Sequence, residues 1–445
     1  NTTLSSYPGG AMTWNGGTLI SGTHLAPGVF QIAIDADNNK CWIGYQDTWY
    51  NDEWNETGSV GNPATGANPT FTLPSGKTWH FFLFSNGATW TANFGQRAFE
   101  ETKPSGFLSP NTFNLDAPTI AIPSKHFDVG LDAGADILST ANGLTDGADF
   151  VWIKDRQNTT DHQLFNRIDD SGMDGTPNLA SNQNYSEATC GTYSAPTGDG
   201  VAWVWNAGSA NVTNDASATG IGTIDSTYRA STDAGFSIVT YTGNNTIPAS
   251  VAHGLNAKPA MIWVKNRDTS SKSWIVYHKA LGATKYMYFN TDAAANASIG
   301  SWNDTEPTST VWTMQDWSDM NNTDDFVAYL WSEVEGYSKF SSFIGNGDAD
   351  GPFVWCGFKP AFVLVKNSEE TGGWVMWDNK RNGYNPDNNF LYPNDETTIE
   401  ASSEQILLLS NGFKITTSLG WRNSDTKKII FAAFAESPFK YSNAR

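Results

Sequence analysis

At 445 residues, with 19 Trp, 15 Tyr, 25 Phe and 41 Gly but only 16% charged residues, the chain has the make-up of an all-β protein of several domains and not of a helical one. Its 46 acidic and 26 basic residues leave a net charge of −20, which argues against nucleic acid or an anionic membrane surface as the main partner, because both demand a basic footprint. No apolar run reaches the ~18 residues of a membrane helix, so membrane insertion is not expected, and the N-terminus does not read as a signal peptide.

A first unit is expected over 1–103. Gly28–Asp35 alternates as a half-buried strand, Asp35–Asn39 makes a turn, and Lys40–Tyr45 returns as the partner strand. Trp79–Phe84 is a nearly continuous apolar strand, and Asn93–Phe99 closes the unit. Between them, Gln46–Asn55 is polar and alternates too poorly for a core strand. Its Trp49, Tyr50 and Trp54 are therefore candidate ligand platforms, rings on which the apolar face of a sugar can stack. Repeated Pro and Gly without a sustained period mark 104–125 as an ordered linker.

Beyond the linker one stretch is written three times: Asp149-Phe-Val-Trp-Ile-Lys-Asp-Arg156, Ala260-Met-Ile-Trp-Val-Lys-Asn-Arg267 and Ala361-Phe-Val-Leu-Val-Lys-Asn-Ser368. Each is a β-branched and aromatic run ending in Lys and a polar cluster, the pattern of a buried strand followed by a turn. Lys154, Lys265 and Lys366 recur about 100 residues apart, well beyond a solenoid unit of about 20–50, so tandem domains are expected. Three more landmarks keep the same order. They are opening segments from Phe127, Phe236 and Phe340; strands Gln163–Asn166, Trp274–Tyr277 and Trp374–Trp377; and closing strands Val201–Trp205, Phe326–Trp331 and Ile429–Phe434. The modules run 126–235 (the divergent first copy with a connector), 236–336 and 337–445. Residues 208–233, rich in Ser, Thr, Ala and Asn, read as a connector with some strand character. Ile399–Leu409 is the best helix candidate and reads equally as a strand. A Trp at i and an aromatic at i+3 lie on opposite sheet faces. If one face is buried, only one of Trp274 and Tyr277, and one of Trp374 and Trp377, is core.

Motifs for chemistry are sparse. Asn346–Gly351 begins like a calcium loop, but the position that needs a bidentate Glu is Gly357, so a hairpin turn is expected and no metal is assigned. Asn346 and Asp348, with Asn244 and Asn245 at the matching tip, are candidates for hydrogen-bonding sugar hydroxyls. The 6 histidines lack the spacing of a compact metal site, and no nucleophile elbow or phosphate loop occurs. No catalytic residue and no cofactor is assigned. Cys41, Cys190 and Cys356 read as buried small hydrophobes. Glu333 and Glu436 stand just past equivalent closing strands, where the first copy has Ala207, and read as structural acceptors.

The hairpin Asp35–Tyr45 and the motif Asn93-Phe-Gly-Gln-Arg-Ala-Phe99 resemble the SPRY-type β-sandwich of bacteriophage virion proteins, in reduced form, since that family's opening strands would precede Asn1. Asn114–Ile120 with Ser124–Asp128 resembles the junction to a tandem module in marine phage tail proteins. Gly235–Gly243, Ser273–Tyr286, Gly336–Phe340 and Phe431–Phe439 resemble that module itself. The resemblance implies a tail fibre or similar appendage, located in the virion, in contact with other virion proteins and homo-oligomeric, commonly trimeric. With the polar, aromatic loops it points to non-enzymatic recognition of a host-surface glycan by weak multivalent docking, which raises avidity about 10²–10⁴-fold. The alternatives are a purely structural virion component and, third, a polysaccharide depolymerase. The expected fold is all-β, a series of sandwich-like domains of SPRY, jelly-roll or lectin type in an elongated chain.

Overall fold

The computed structural model describes residues 28–51, 60–75, 91–133, 144, 147–382, 384–398, 400–418 and 420–442, with backbone alone at 133, 388 and 400–405 and for three short strands within 4–20. Strand accounts for 37% of the chain and helix for 7%, the latter in short turns, so the protein is all-β. It divides into two compact units, Asn1–Asp116 and Ala117–Arg445.

In the first unit Phe30–Asp35 pairs antiparallel with Lys40–Tyr45 from Asp35 opposite Lys40 outward. Asp35 makes the turn. Its carboxylate accepts from the Asn38 backbone N–H (3.0 Å) and side-chain amide (2.8 Å), and Asn39 turns the chain at φ 55°. Thr48–Trp49 and Phe71–Thr72 extend the sheet from Lys40–Tyr45. Trp42 is buried there and donates its indole N–H to Ala67 O at 2.8 Å. The expected strand Trp79–Phe84 lies outside the described residues. The linker carries single 3-10 turns at Thr112–Asn114 and Pro123–Lys125, and the boundary between the units falls inside it.

In the second unit the three copies build the same antiparallel sheet. From one side to the other it runs: tryptophan strand (Gln163–Asn166, Ile275–His278, Val375–Asp378), lysine strand (Phe150–Asp155, Met261–Asn266, Phe358–Asn367), closing strand (Asp199–Trp205, Asp325–Trp331, Lys428–Pro438) and opening strand (Phe127–Ala133, Phe236–Thr242, Ser338–Ile344). Lys154, Lys265 and Lys366 lie opposite Val201, Val327 and Ile430, one register position in all three. Each lysine is buried and donates to the carbonyl of the next residue, at 2.8, 2.7 and 3.1 Å. That next residue, Asp155, Asn266 or Asn367, closes the turn by accepting from the backbone N–H groups two and three positions on. The opening strand departs from the expected alignment: Phe127 and Phe236 face Trp205 and Trp331, but Ser338 faces Phe434. Phe340 sits two places on, which keeps it on the same face.

The modules are not separate domains in series. One core runs through all three, joining Phe127, Trp152, Trp203 and Trp205 to Phe236, Trp263 and Trp331 and to Phe340, Phe362 and Phe434. Ring centroids approach across module boundaries at 5.8 Å (Trp152–Trp263), 6.1 Å (Trp205–Trp331) and 5.5 Å (Trp205–Phe434), leaving a central void of ≈ 10 Å³, at the lower limit for one water. The reason is the residue just before the tryptophan strand of each repeat. Trp274 donates its indole N–H to Ala180 O of the first copy (2.8 Å), and Trp374 donates to Tyr288 O of the second (2.9 Å). The first copy has His162 in that register, bonded to Tyr392 O of the third at 3.1 Å. Nδ1 of His162 accepts the indole N–H of Trp152 (2.9 Å), so Nε2 carries the proton and donates, as an indole would. Burial keeps this imidazole neutral, its pKa pushed down to about 3. The three bonds close a ring from first to third, third to second and second to first.

The outer faces of the sheets are covered too. A two-stranded layer (Ala249–Ala252, Val311–Met314) covers the second copy, and a four-stranded layer built from Phe353–Trp355, Asp387–Phe390, Glu400–Leu409 and Gly412–Ile415 belongs to the third. Trp274, Tyr277, Trp374 and Trp377 are therefore all buried, and the limit of one core aromatic per pair, which holds for a sheet buried on one face, does not apply. Residues 208–233 are not a plain connector. Val212–Asn214 and Ser226–Ser231 add to the edge of the second copy's sheet, where mostly polar, partly exposed strands are tolerated. Ile399–Leu409 resolves as strand from Glu400.

Candidate functional site

Where the third copy meets the second, the loop after the Lys366 strand lies against the loop 290–292. Gly372 N–H donates to Asp292 O at 2.8 Å, Lys366 Nζ reaches the same carbonyl at 3.1 Å, and Ala295 N–H donates to Ser368 O at 3.0 Å. Beside this seam opens a cleft of ≈ 650 Å³ lined by Asn290, Thr291, Asp292, Thr371, Gly372, Gly373, Tyr392, Asn394, Asp395 and Trp421. That volume lies within the range of small-molecule sites.

Its walls are built firmly. Asn394 Oδ1 accepts the backbone N–H of Trp374 (2.7 Å), as Asn290 does from Trp274 (3.1 Å) and Asn182 from His162 (3.0 Å), so one asparagine position holds each repeat's strand entry. The rings of Tyr392 and Trp421, both half-buried, stand 6.0 Å apart at 41°. Arg422 fixes them from behind. Its guanidinium lies 4.3 Å from the rings of Trp421 and Phe390 and donates to Tyr392 Oη at 2.5 Å. Gly372 and Gly373 let the backbone lie on the rings: a Cβ would come 2.5 Å from Trp421 Cγ at the first and 3.1 Å from Tyr392 Cδ1 at the second. Asp292, Thr371 and Asp395 are exposed at the rim. The equivalent boundary between the first and second copies is bridged by Glu187–Cys190: Glu187 N–H donates to Arg267 O (2.8 Å), and Arg267 Nε pairs with Glu187 Oε1 at 2.6 Å.

The residues singled out in the sequence lie elsewhere. Trp49 is half-buried against Gly44, where a Cβ would come 3.0 Å from its ring. Tyr50 is 3% exposed, which removes it as a ligand platform. Its N–H bonds Ile43 O (3.0 Å) and its carbonyl accepts from the Thr70 hydroxyl (2.6 Å), so the stretch continues the sheet after a turn at Gln46 and Asp47. Trp54 lies outside the described residues. Asn244, Asn245, Asn346 and Asp348 are exposed on equivalent tips. Buried Asn321 and Asn423 clamp these tips by accepting the N–H of Asn244 (2.9 Å) and Asn346 (3.0 Å). The tip side chains serve the turns: Asn244 Oδ1 accepts from Thr246, Asn346 Oδ1 from Asp348 N–H, and Asp348 Oδ1 from Asp350 N–H. None of them lines the cleft.

Glu333 pairs with Lys279 (2.6 Å) and Lys339 (2.8 Å), and Glu436 with Lys359 (2.9 Å). These acids tie strand ends together. The first copy places its acid differently: Asp149, where the others have Ala260 and Ala361, accepts from Arg167 (2.6 Å) and the N–H of Ala207 (2.8 Å) and forms an ion pair with Arg229 at 2.9 Å. Cys190 is only half-buried, unlike Cys41 and Cys356. Among the described residues no three His, Cys, Asp or Glu side chains converge as a metal site.

The recurring lysines carry a measurable signature. Burial, partly offset by nearby acids, lowers Lys265 and Lys366 to about 8. A lysine depressed in the folded state contributes stability that is complete above its unfolded pKa near 10.5 and is lost as pH falls through the folded value. Wild type is therefore expected to gain on Lys366→Met between pH 8 and 10, by an amount of order 2 kcal/mol, in denaturant titrations at each pH. A pH-independent difference between the two proteins would show that Lys366 is charged in the fold.

The cleft was hard to see in the sequence, because its walls come from four segments spread over Asn290–Trp421. One signal was present: Tyr288-Phe-Asn290 and Tyr392-Pro-Asn394 repeat the spacing of aromatic and asparagine. No curated protein and no solved structure matches the chain. A family described as a domain of unknown function, DUF7483, matches residues 122–438, the span that holds the three repeats, the shared core and the cleft. That span is more than half of the sequence, and the chain belongs to the DUF7483 family.

Proposed function

We propose that this chain is a non-enzymatic virion appendage protein, a tail fibre or similar structure, that recognises a host-surface glycan through weak, multivalent docking. The observation that carries this reading is the cleft between the second and third copies. It pairs two fixed aromatic faces, Trp421 and Tyr392, with amide, hydroxyl and carboxylate groups at Asn290, Asn394, Thr371, Asp292 and Asp395. Pyranose rings present an apolar face that stacks on such rings and hydroxyls that bond such polar groups. The phage assignment rests on the sequence resemblance, and so does the homotrimeric state, in which three clefts would act together and raise avidity.

The test is a glycan array followed by calorimetry on the positive ligands. Trp421→Ala is expected to weaken binding at least tenfold, about 1.4 kcal/mol, with an unchanged thermal transition. Full retention of affinity in that variant would move the site elsewhere, and an array with no positive ligand would favour a purely structural virion component.

A further inference from the structure

The charge of the cleft selects among glycans. Its lining offers Asp292 and Asp395 at the rim and no cationic side chain. Two cations beside it are turned to the fold. Lys366 Nζ is buried and donates to the carbonyls of Asp292 and Asn367, and Arg422 is buried, packed on Trp421 and Phe390 and bonded to Tyr392 Oη. The available hydrogen-bonding groups are complementary to hydroxyls. Asp395 Oδ1 closes a turn by accepting the N–H of Thr397 at 2.8 Å, Asn394 Oδ1 is held by Trp374, and the Asn394 amide N–H₂, the Thr371 hydroxyl and the Asp292 carboxylate remain at the cleft. A carboxylate accepts from two adjacent hydroxyls at once, and it repels a second carboxylate brought into the same partly desolvated space. The whole chain, at −20, adds to the repulsion.

On the reading that this cleft binds saccharide, we infer that it is a subsite for neutral or amino sugars with vicinal hydroxyls and that it excludes uronate-containing polysaccharides. Asp292 and Asp395 are the specificity-determining residues and Trp421 the stacking platform.

The experiment measures binding of the full chain to three pentasaccharides at low and physiological salt: cellopentaose (neutral), chitosan pentamer (cationic) and pentagalacturonate (anionic). Cellopentaose is expected to bind at both salt concentrations. The chitosan pentamer is expected to bind severalfold tighter at low salt than at high salt, and pentagalacturonate at least tenfold more weakly than cellopentaose. Replacing both acids, Asp292→Asn with Asp395→Asn, is expected to narrow the neutral-to-anionic ratio at least fivefold, with Trp421→Ala abolishing binding of all three. If the anionic probe binds as well as the neutral one, or if the double amide variant leaves the ratio unchanged while Trp421→Ala still abolishes binding, the charge selection is wrong and the glycan reading stands. If Trp421→Ala has no effect on any of them, the saccharide site lies elsewhere and the charge selection assigned to this cleft falls; if none of the three binds, both fall together.

Discussion

Trp205→Ala is expected to destabilise residues 117–445 by about 4 kcal/mol and to do so in all three repeats at once. The indole of Trp205 is 1% exposed and contacts Phe127 and Phe150 of its own copy, Phe236 and Trp331 of the second, and Phe362 and Phe434 of the third. Its removal leaves a cavity at the meeting point of the three sheets, and close packing there gives the neighbours little room to collapse. Urea unfolding followed by hydrogen exchange reports both quantities. The protected amides of the lysine strands at 150–155, 261–266 and 362–367 are expected to lose protection together and by the same free energy. Loss confined to 150–155 would mean that the modules fold separately and merely touch.

The second large effect is expected at Asp149. The carboxylate is fully buried between Arg167 and Arg229, and burial raises its pKa against the pull of the two guanidinium groups. A pair buried in this way adds little net stability, but removing one partner strands the other. Asp149→Ala, the residue that the other two copies carry at this position, is expected to cost about 3–5 kcal/mol because Arg229, on the strand Ser226–Ser231, stays buried without a counter-ion. Combining it with Arg229→Met is expected to recover more than half of that loss in a double-mutant cycle. Additive losses would show that Asp149 and Arg229 do not act as a pair.

Much of the fold was legible because it rests on local pattern. The continuous β-branched and aromatic runs before Lys154, Lys265 and Lys366 and the Asp/Asn that follows each lysine encode strand and turn without help from the rest of the chain. The same strength of local signal placed the Asp35–Asn39 hairpin. Reading failed where a residue's role depends on what covers it. Tyr50 sits in a polar stretch but fills the sheet of the first unit, and Tyr277 lies outside the shared core yet is buried under an outer layer. The site residues failed for another reason. Asn244, Asn346 and Asp348 are polar because they close turns, and nothing in a one-dimensional pattern separates that duty from ligand binding.

The amino-acid sequence by itself determined that this is an all-β protein carrying three copies of one sheet, since strand periodicity and turn chemistry are properties of neighbouring residues. Whether the copies stand in a row or close on one another was decided only in three dimensions. There the hydrogen bonds of His162, Trp274 and Trp374 to the next copy, and the burial of aromatic faces that no single sheet can cover, make one core. The cleft at Trp421 exists for the same reason, as a seam that forms only once the third copy is packed against the second.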